Sequence, residues 1–335
     1  MAGIRFGIAL WPQQTAWQPF LAAARLVDHL GYDTLWAWDH LLSDTGRPDQ
    51  PVFEGWVTLG AWATATERVG LGLLVGANTF RNPGLVAKMA VTLDHASGGR
   101  AILGLGGAWF AREHEAYGID FGRSPGERLG WLDESADMIR ALLDGRTVTH
   151  DGPRYHTREL TLYPRPLQAH LPLMIGGGGE RKTLRTVAKY ADMWNLPRLR
   201  DADDDLRRKL RALAAHGEAV GRDTASIERT VCPAVLIRDT PDEARRVYEA
   251  ALAHNHTDLT RKDPLLGPPA AIAERLRPHL QLGFRHFIVD LPSPYDQETL
   301  ERLIGEVKPL LEAMAPAPES DAQNLALTRP APGLQ

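Results

Sequence analysis

The chain has almost no cysteine: Cys232 is the only one among 335 residues. That excludes an internal disulfide and a cysteine-built metal site, and it fits a reducing cytoplasm. An excess of charge of one sign is small as well. A net charge of −4 leaves no basic footprint for nucleic acid. No apolar run reaches the length of about 20 residues that a bilayer-crossing helix needs, so no membrane association is expected. The first ten residues, Met1 to Leu10, lack a basic segment followed by a long apolar one. No signal peptide is expected, and the stretch reads as a strand. Histidines and carboxylates do not gather at ligand spacing, which argues against a metal centre. His29, His95, His216, His254 and His279 are scattered and read as surface residues. A Ser, Cys or Lys nucleophile with a base beside it is also missing. Cys232 falls in an expected strand and reads as buried and inert.

What is present is a regular alternation of short apolar runs and amphipathic stretches. Ile4–Leu10, Thr34–Trp38, Val69–Val75 and Ala101–Leu105 read as strands. Between them Trp17–Leu30, Trp56–Thr66 and Gly84–Ser97 repeat apolar residues at helical spacing. A longer connection follows, with a helix at Pro125–Leu143 and an irregular insertion at Asp144–Leu171. A small hairpin is expected near Val148–Tyr155. Four more strands are expected: one ending at Ile175, then Asp192–Leu196, Arg229–Ile237 and His286–Asp290. A second irregular stretch, Asn255–Leu266, follows the seventh. Eight β/α units predict a (β/α)₈ TIM barrel with insertions after strands 4 and 7. Residues 1–314 are read as one domain, and 315–335, rich in Ala, Pro, Ser and Gln, as a mobile tail.

In such a barrel, ligands bind at the carboxyl ends of the strands. Two motifs sit there. Asp39-His40 follows the second strand and pairs a carboxylate with an imidazole, the side chain suited to moving a proton near neutral pH. A cap by Asp39 and a structural His40 would account for the pair equally. Gly176-Gly177-Gly178-Gly179-Glu180 follows the fifth strand and leads into a helix expected over Glu180–Tyr190. Contiguous glycines let the backbone approach a ligand, and free amides at a helix start suit a phosphate. A plain flexible turn would use the same residues. Among nine tryptophans, Trp11, Trp36, Trp38, Trp109 and Trp194 lie near strand ends or in loops. Packing explains any one of them, and together they could line a site for a planar ligand.

The pieces Trp38-Asp39-His40, Thr79-Phe80-Arg81-Asn82-Pro83, Leu103–Trp109 with Glu113–Ile119, Pro164–Gln168, Ile175–Glu180 and Tyr190–Asn195 resemble the bacterial luciferase-like flavin and deazaflavin oxidoreductases. The order and spacing match from about Ile4 to Pro309, and the chain looks most like the branch that uses coenzyme F420. The resemblance implies a ring held in the barrel mouth. Asp39 would meet its polar edge, and His40 would transfer a proton or orient the substrate. Leu74-Val75 would form a bulge with a non-proline cis peptide behind the ring. Gly106, Gly107 and Ala108 would flank the ribityl chain. Gly176, Gly177, Gly178 and Gly179 with the Glu180 amide would form the phosphate-binding turn. Trp11, Trp109 and Trp194 would face the substrate.

Sugar-phosphate dehydrogenases of the branch carry an acidic residue at the Trp109 position and a hydroxyl at that of Gly107, which disfavours glucose 6-phosphate here and favours a less polar substrate. The resemblance implies a homodimer transferring hydride between F420 and a small molecule, and the single cysteine fits a cytoplasmic location. An FMN-dependent monooxygenase, fed by a separate reductase, fits the same pieces. A non-catalytic flavin-binding barrel and a metal-dependent hydrolase are the remaining readings.

Overall fold

The computed structural model describes residues 3–197, 204–257 and 263–314. The tail expected at 315–335 and part of the irregular stretch at 255–266 lie outside the described residues. Eight parallel strands close a barrel: β1 (Arg5–Leu10), β2 (Thr34–Ala37), β3 (Gly70–Leu73), β4 (Ala101–Gly106), β5 (Leu173–Gly176), β6 (Met193–Leu196), β7 (Glu228–Val231) and β8 (Phe284–Leu291). Strand β1 pairs with both β2 and β8, and the ring shuts where Leu71 and Gly72 of β3 pair with Ala101 and Ile102 of β4. This is the predicted α/β TIM barrel.

Strand alternation sorts the side chains into two layers. Ala9, Trp36, Ile102, Met174, Met193 and Ile288 fill the barrel interior. Residues of the opposite parity, such as Phe6, Leu35, Leu103 and Phe287, pack under the helices. The helices begin where the sequence supplies a cap followed by proline. Asn82 accepts the Gly84 N–H, Ser124 that of Glu127 and Thr240 that of Glu243, with Pro83, Pro125 and Pro241 in the first turn. Each cap satisfies an amide that has no partner within its helix, and proline's fixed φ suits that turn.

Three expectations need correction. The seventh strand does not run through Arg229–Ile237. Pro233 has no N–H for the ladder, and the barrel strand ends at Val231. Val235–Ile237 then pairs with Leu265–Gly267 in a separate parallel sheet. The helix after the glycine turn spans Thr183–Tyr190 rather than starting at Glu180. His279 is buried, not on the surface.

The insertion after β4 does hold a hairpin, Val148–Asp151 against His156–Leu160. Its turn reaches back to the barrel, where the Tyr155 hydroxyl donates to the Asn78 carbonyl at 2.5 Å. No described helix is long and apolar enough to cross a membrane.

Candidate active site

The chain leaves β3 through a non-proline cis peptide at Leu74-Val75, and both side chains join the barrel interior. Val75 decides what its neighbours can be. A Cβ on Gly106 would lie 2.6 Å from Val75 Cγ2, and one on Gly176 would lie 2.8 Å from it. Neither approach is possible for real carbons, so the ends of β4 and β5 carry glycine and present bare backbone around Val75. Gly107 is likewise close-packed, its Cβ direction meeting Leu129 Cδ2 at 2.8 Å. Ala108 turns the chain at φ +56°.

Asp39 stands beside this floor. Its side chain is 1% exposed. Oδ2 accepts from the Ala77 N–H at 2.9 Å and from Arg81 Nη1 at 2.8 Å. Oδ1 is buried and finds no hydrogen-bond partner among the described residues, a state that buried polar atoms rarely keep without a ligand or water. Burial pushes the carboxyl above the usual carboxylate range, and the Arg81 guanidinium only partly offsets it. Arg81 is itself shared, its Nη2 donating to Glu54 Oε1 at 2.8 Å.

His40 points its Nδ1 at Glu113, 3.1 and 3.2 Å from the two carboxylate oxygens. Glu113 is buried on the helix Ala111–Tyr117, and its Oε2 also accepts the Leu41 N–H at 2.9 Å. The rings of Trp38, Trp109 and Phe110 stand nearly edge-on to the imidazole, with centroids at 6.1, 5.6 and 5.9 Å. Burial alone would lower the imidazole pKa. The hydrogen bond to Glu113 and the charges of Asp44, Glu113 and Asp39 outweigh it and hold His40 above its ordinary value. Its Nε2 makes no hydrogen bond to any described residue.

The three tryptophans part company. Trp109 is 58% exposed and stacks on Phe110 beside His40. Trp11 is buried, with Nε1 donating to Asp290 Oδ1 at 2.7 Å and its ring 4.8 Å from Trp38. Trp194 is not at the mouth. It is fully buried in the layer beneath the helices, and its Nε1 donates to the Gly177 carbonyl at 2.8 Å. One residue on, Asn195 shares the inward face with Met193 and donates to Thr230 Oγ1 at 2.8 Å. Trp38, not Trp194, is the indole beside the imidazole.

At the glycine turn, Gly177 takes φ +121° and its N–H donates to the Asn195 carbonyl at 2.9 Å. The amides of Gly178, Gly179 and Glu180 have no hydrogen-bond acceptor among the described residues. Lys209 lies against Gly178, its Cε 3.2 Å from the Cβ position. The Glu180 carboxylate turns aside to Arg208 Nε at 2.9 Å and Lys209 Nζ at 3.4 Å, which leaves its amide for a ligand. The turn is on the same rim as Asp39 and His40. An orphaned buried carboxylate oxygen, a floor bared to backbone at Gly106 and Gly176, and free amides at a glycine turn fit a planar ring with a phosphate tail.

A family model for luciferase-like monooxygenases matches residues 3–291. The chain belongs to the luciferase-like monooxygenase family. It is 27% identical over 330 residues to the F420-dependent glucose-6-phosphate dehydrogenase of Microbacterium testaceum, an alignment covering 90% of this chain and 96% of that one. Its fold is that of the coenzyme F420-dependent tetrahydromethanopterin reductase from Methanopyrus kandleri (TM-score 0.75, 19% identity, 92% of this chain and 99% of that one). It is also that of the oxygenating constituent of 3,6-diketocamphane monooxygenase from Pseudomonas putida, solved with FMN (TM-score 0.68, 16% identity, 92% and 99%).

In the sequence, Arg81 and Glu113 stand out only as parts of the family pieces. Their signal is there: Arg81 follows β3 closely, and Glu113 opens a helix directly after β4. What could not be read is their partners, which lie 42 and 73 residues away along the chain.

Proposed function

We propose that the protein is an F420-dependent oxidoreductase, acting as a cytoplasmic homodimer on a small organic substrate. The observation that carries this is the buried, unpartnered Oδ1 of Asp39 beside Val75 and His40. F420, when bound, supplies a ring carbon that gives or takes a hydride. Asp39 Oδ1 would accept a hydrogen bond from the ring's polar edge, and Arg81, bonded to Oδ2, leaves that oxygen open. Val75 would support one ring face. The amides of Gly178, Gly179 and Glu180 hold the phosphate, with Gly177 setting the turn. His40 supplies or removes the proton that balances the hydride, through Nε2. Trp109, Trp38 and Phe110 give the substrate an aromatic wall, which supports a substrate less polar than a sugar phosphate.

Fluorescence titration with F420 and with FMN tests the reading. Saturable F420 binding, followed by bleaching or recovery of its absorbance with an alcohol, carbonyl or unsaturated substrate, is expected. His40→Ala slows that turnover about 10²- to 10⁴-fold, the range of general acid–base catalysis. The F420 Kd stays within about threefold, since Asp39, Val75 and the glycine turn hold the cofactor and the imidazole does not. Unchanged turnover would remove His40 from the reaction. A second reading rests on the FMN-bound relative of the same fold. The glycine turn would hold FMN phosphate equally, and reduced FMN from a separate reductase would then activate oxygen. FMN binding with substrate-dependent oxygen uptake, and no binding of F420, would replace the first reading with this one.

A further inference from the structure

We infer that Glu113 is the positioning residue that selects which nitrogen of His40 meets the substrate. This rests on His40 acting at the reacting edge, as proposed above, but its test reads the imidazole directly.

The geometry of Glu113 is specific. Its side chain is 3% exposed, and its partners are the Leu41 N–H at Oε2 and His40 Nδ1. An ionised carboxylate has no proton to donate, so the His40 nitrogen facing it carries the hydrogen. Nε2 is then the basic nitrogen of the neutral ring. The same logic orients the histidine of a hydrolytic triad, where the carboxylate fixes the tautomer and stabilises the imidazolium. When a substrate C–H passes its hydride to the bound F420 of the proposed reaction, the proton released from the substrate O–H would be taken up at Nε2. In the reverse direction, Nε2–H returns it. Nδ1 keeps its own proton against Glu113 throughout.

The helix that carries Glu113 is pinned by the next residue. His114 is fully buried, its Nδ1 2.8 Å from the Phe110 carbonyl and its Nε2 2.7 Å from Thr79 Oγ1. Its ring lies between Phe80 and Phe121, at 4.8 and 4.5 Å. Both nitrogens are committed, and burial lowers its pKa. A neutral His114 adds no positive charge beside Glu113, so His40 is the imidazole that the carboxylate hydrogen-bonds. The groups facing His40 are Asp39 from the end of β2, Asp44 from the loop that follows, Glu113 from its helix, and the rings of Trp38, Trp109 and Phe110. All three charges are negative, and only Glu113 makes a hydrogen bond to the ring.

The test is Glu113→Gln, which keeps the shape and removes the charge. Its single carbonyl oxygen cannot accept from both Leu41 N–H and His40 Nδ1–H. If it stays with Leu41, its NH₂ faces Nδ1 and the imidazole proton moves to Nε2. Nitrogen NMR of ¹⁵N-histidine-labelled, cofactor-free protein, with the His40 signals assigned by their loss in His40→Gln, reads tautomer and pKa together.

We expect the His40 pKa to fall by about 1–2 units, the effect of losing an opposite charge at this distance, and the two nitrogen shifts to exchange. The pH profile of turnover moves the same way, while the F420 Kd is unchanged. Glu113→Asp keeps the charge and recovers part of the pKa. A folded Glu113→Gln protein whose His40 keeps its tautomer and pKa would overturn the assignment without touching the proposed function. Loss of the proposed function would show instead as absence of F420 binding in the wild-type chain.

Discussion

Arg81→Met puts the electrostatics of the site to a quantitative test. Arg81 is the counter-charge of Asp39, at 2.8 Å, and the two side chains are 15% and 1% exposed. Removing one partner of a buried pair leaves an uncompensated charge, at a cost of about 3–5 kcal/mol. The second interaction, with Glu54, adds little, because that carboxylate is 35% exposed. With an unfolding entropy of about 2.1 cal/mol/K per residue, 335 residues give about 1.4 °C per kcal/mol, and the melting temperature at pH 8 should drop by roughly 4–7 °C.

The pH dependence has a definite sign. The folded-state pKa of Asp39 is raised by burial. Its contribution to stability is therefore fully present below the unfolded carboxylate value and is lost as pH rises through the folded value. Taking Arg81 away raises the folded value further. The melting deficit of Arg81→Met relative to wild type should then shrink steadily from pH 8 to about pH 5. Asp39→Asn combined with Arg81→Met removes both charges and should regain most of the lost stability. Thermal melts of the four proteins of this cycle across that pH range are the assay. A deficit below about 2 °C, or one independent of pH, would show that the guanidinium does not compensate Asp39.

The remaining predictions concern shape. Gly106→Ala places a Cβ 2.6 Å from Val75 Cγ2, so Val75 must move. The F420 Kd should rise at least tenfold, and Val75→Ala in the same chain should restore it; an unchanged Kd in the single variant would show that the floor is not part of the ring site. Trp194→Ala empties a fully buried site and should cost about 3–5 kcal/mol, read by denaturant unfolding. Trp109→Ala, at a 58% exposed residue, should stay within about 0.5 kcal/mol of wild type and instead raise the substrate KM. Equal stability losses for the two tryptophans would contradict their placement.

Much of this was legible in the chain. The eight strands were readable because a buried parallel strand is a continuous apolar run, and the helices because their apolar stripe has a different period. The caps at Asn82-Pro83, Ser124-Pro125 and Thr240-Pro241, which the structure shows, set their helix starts through purely local chemistry. The glycine turn and Asp39-His40 were legible for the same reason: contiguous residues at a strand's end share one rim of the barrel. Pro233 was visible, but not its consequence, since a proline can sit at the end of a strand as well as break one. Trp194 was misplaced for a different reason. A strand reverses its facing at every residue, so an error of one position moves a side chain from the mouth to the helix layer.

By itself, then, the sequence determined the architecture and the backbone chemistry of the rim, because spacing, capping and glycine content act over a few residues. Only the tertiary structure decided how the charges pair: that Arg81 takes one oxygen of Asp39 and leaves the other open, and that Glu113 faces Nδ1 of His40. Those groups come from different strands and helices, and barrel closure alone brings them within hydrogen-bonding distance.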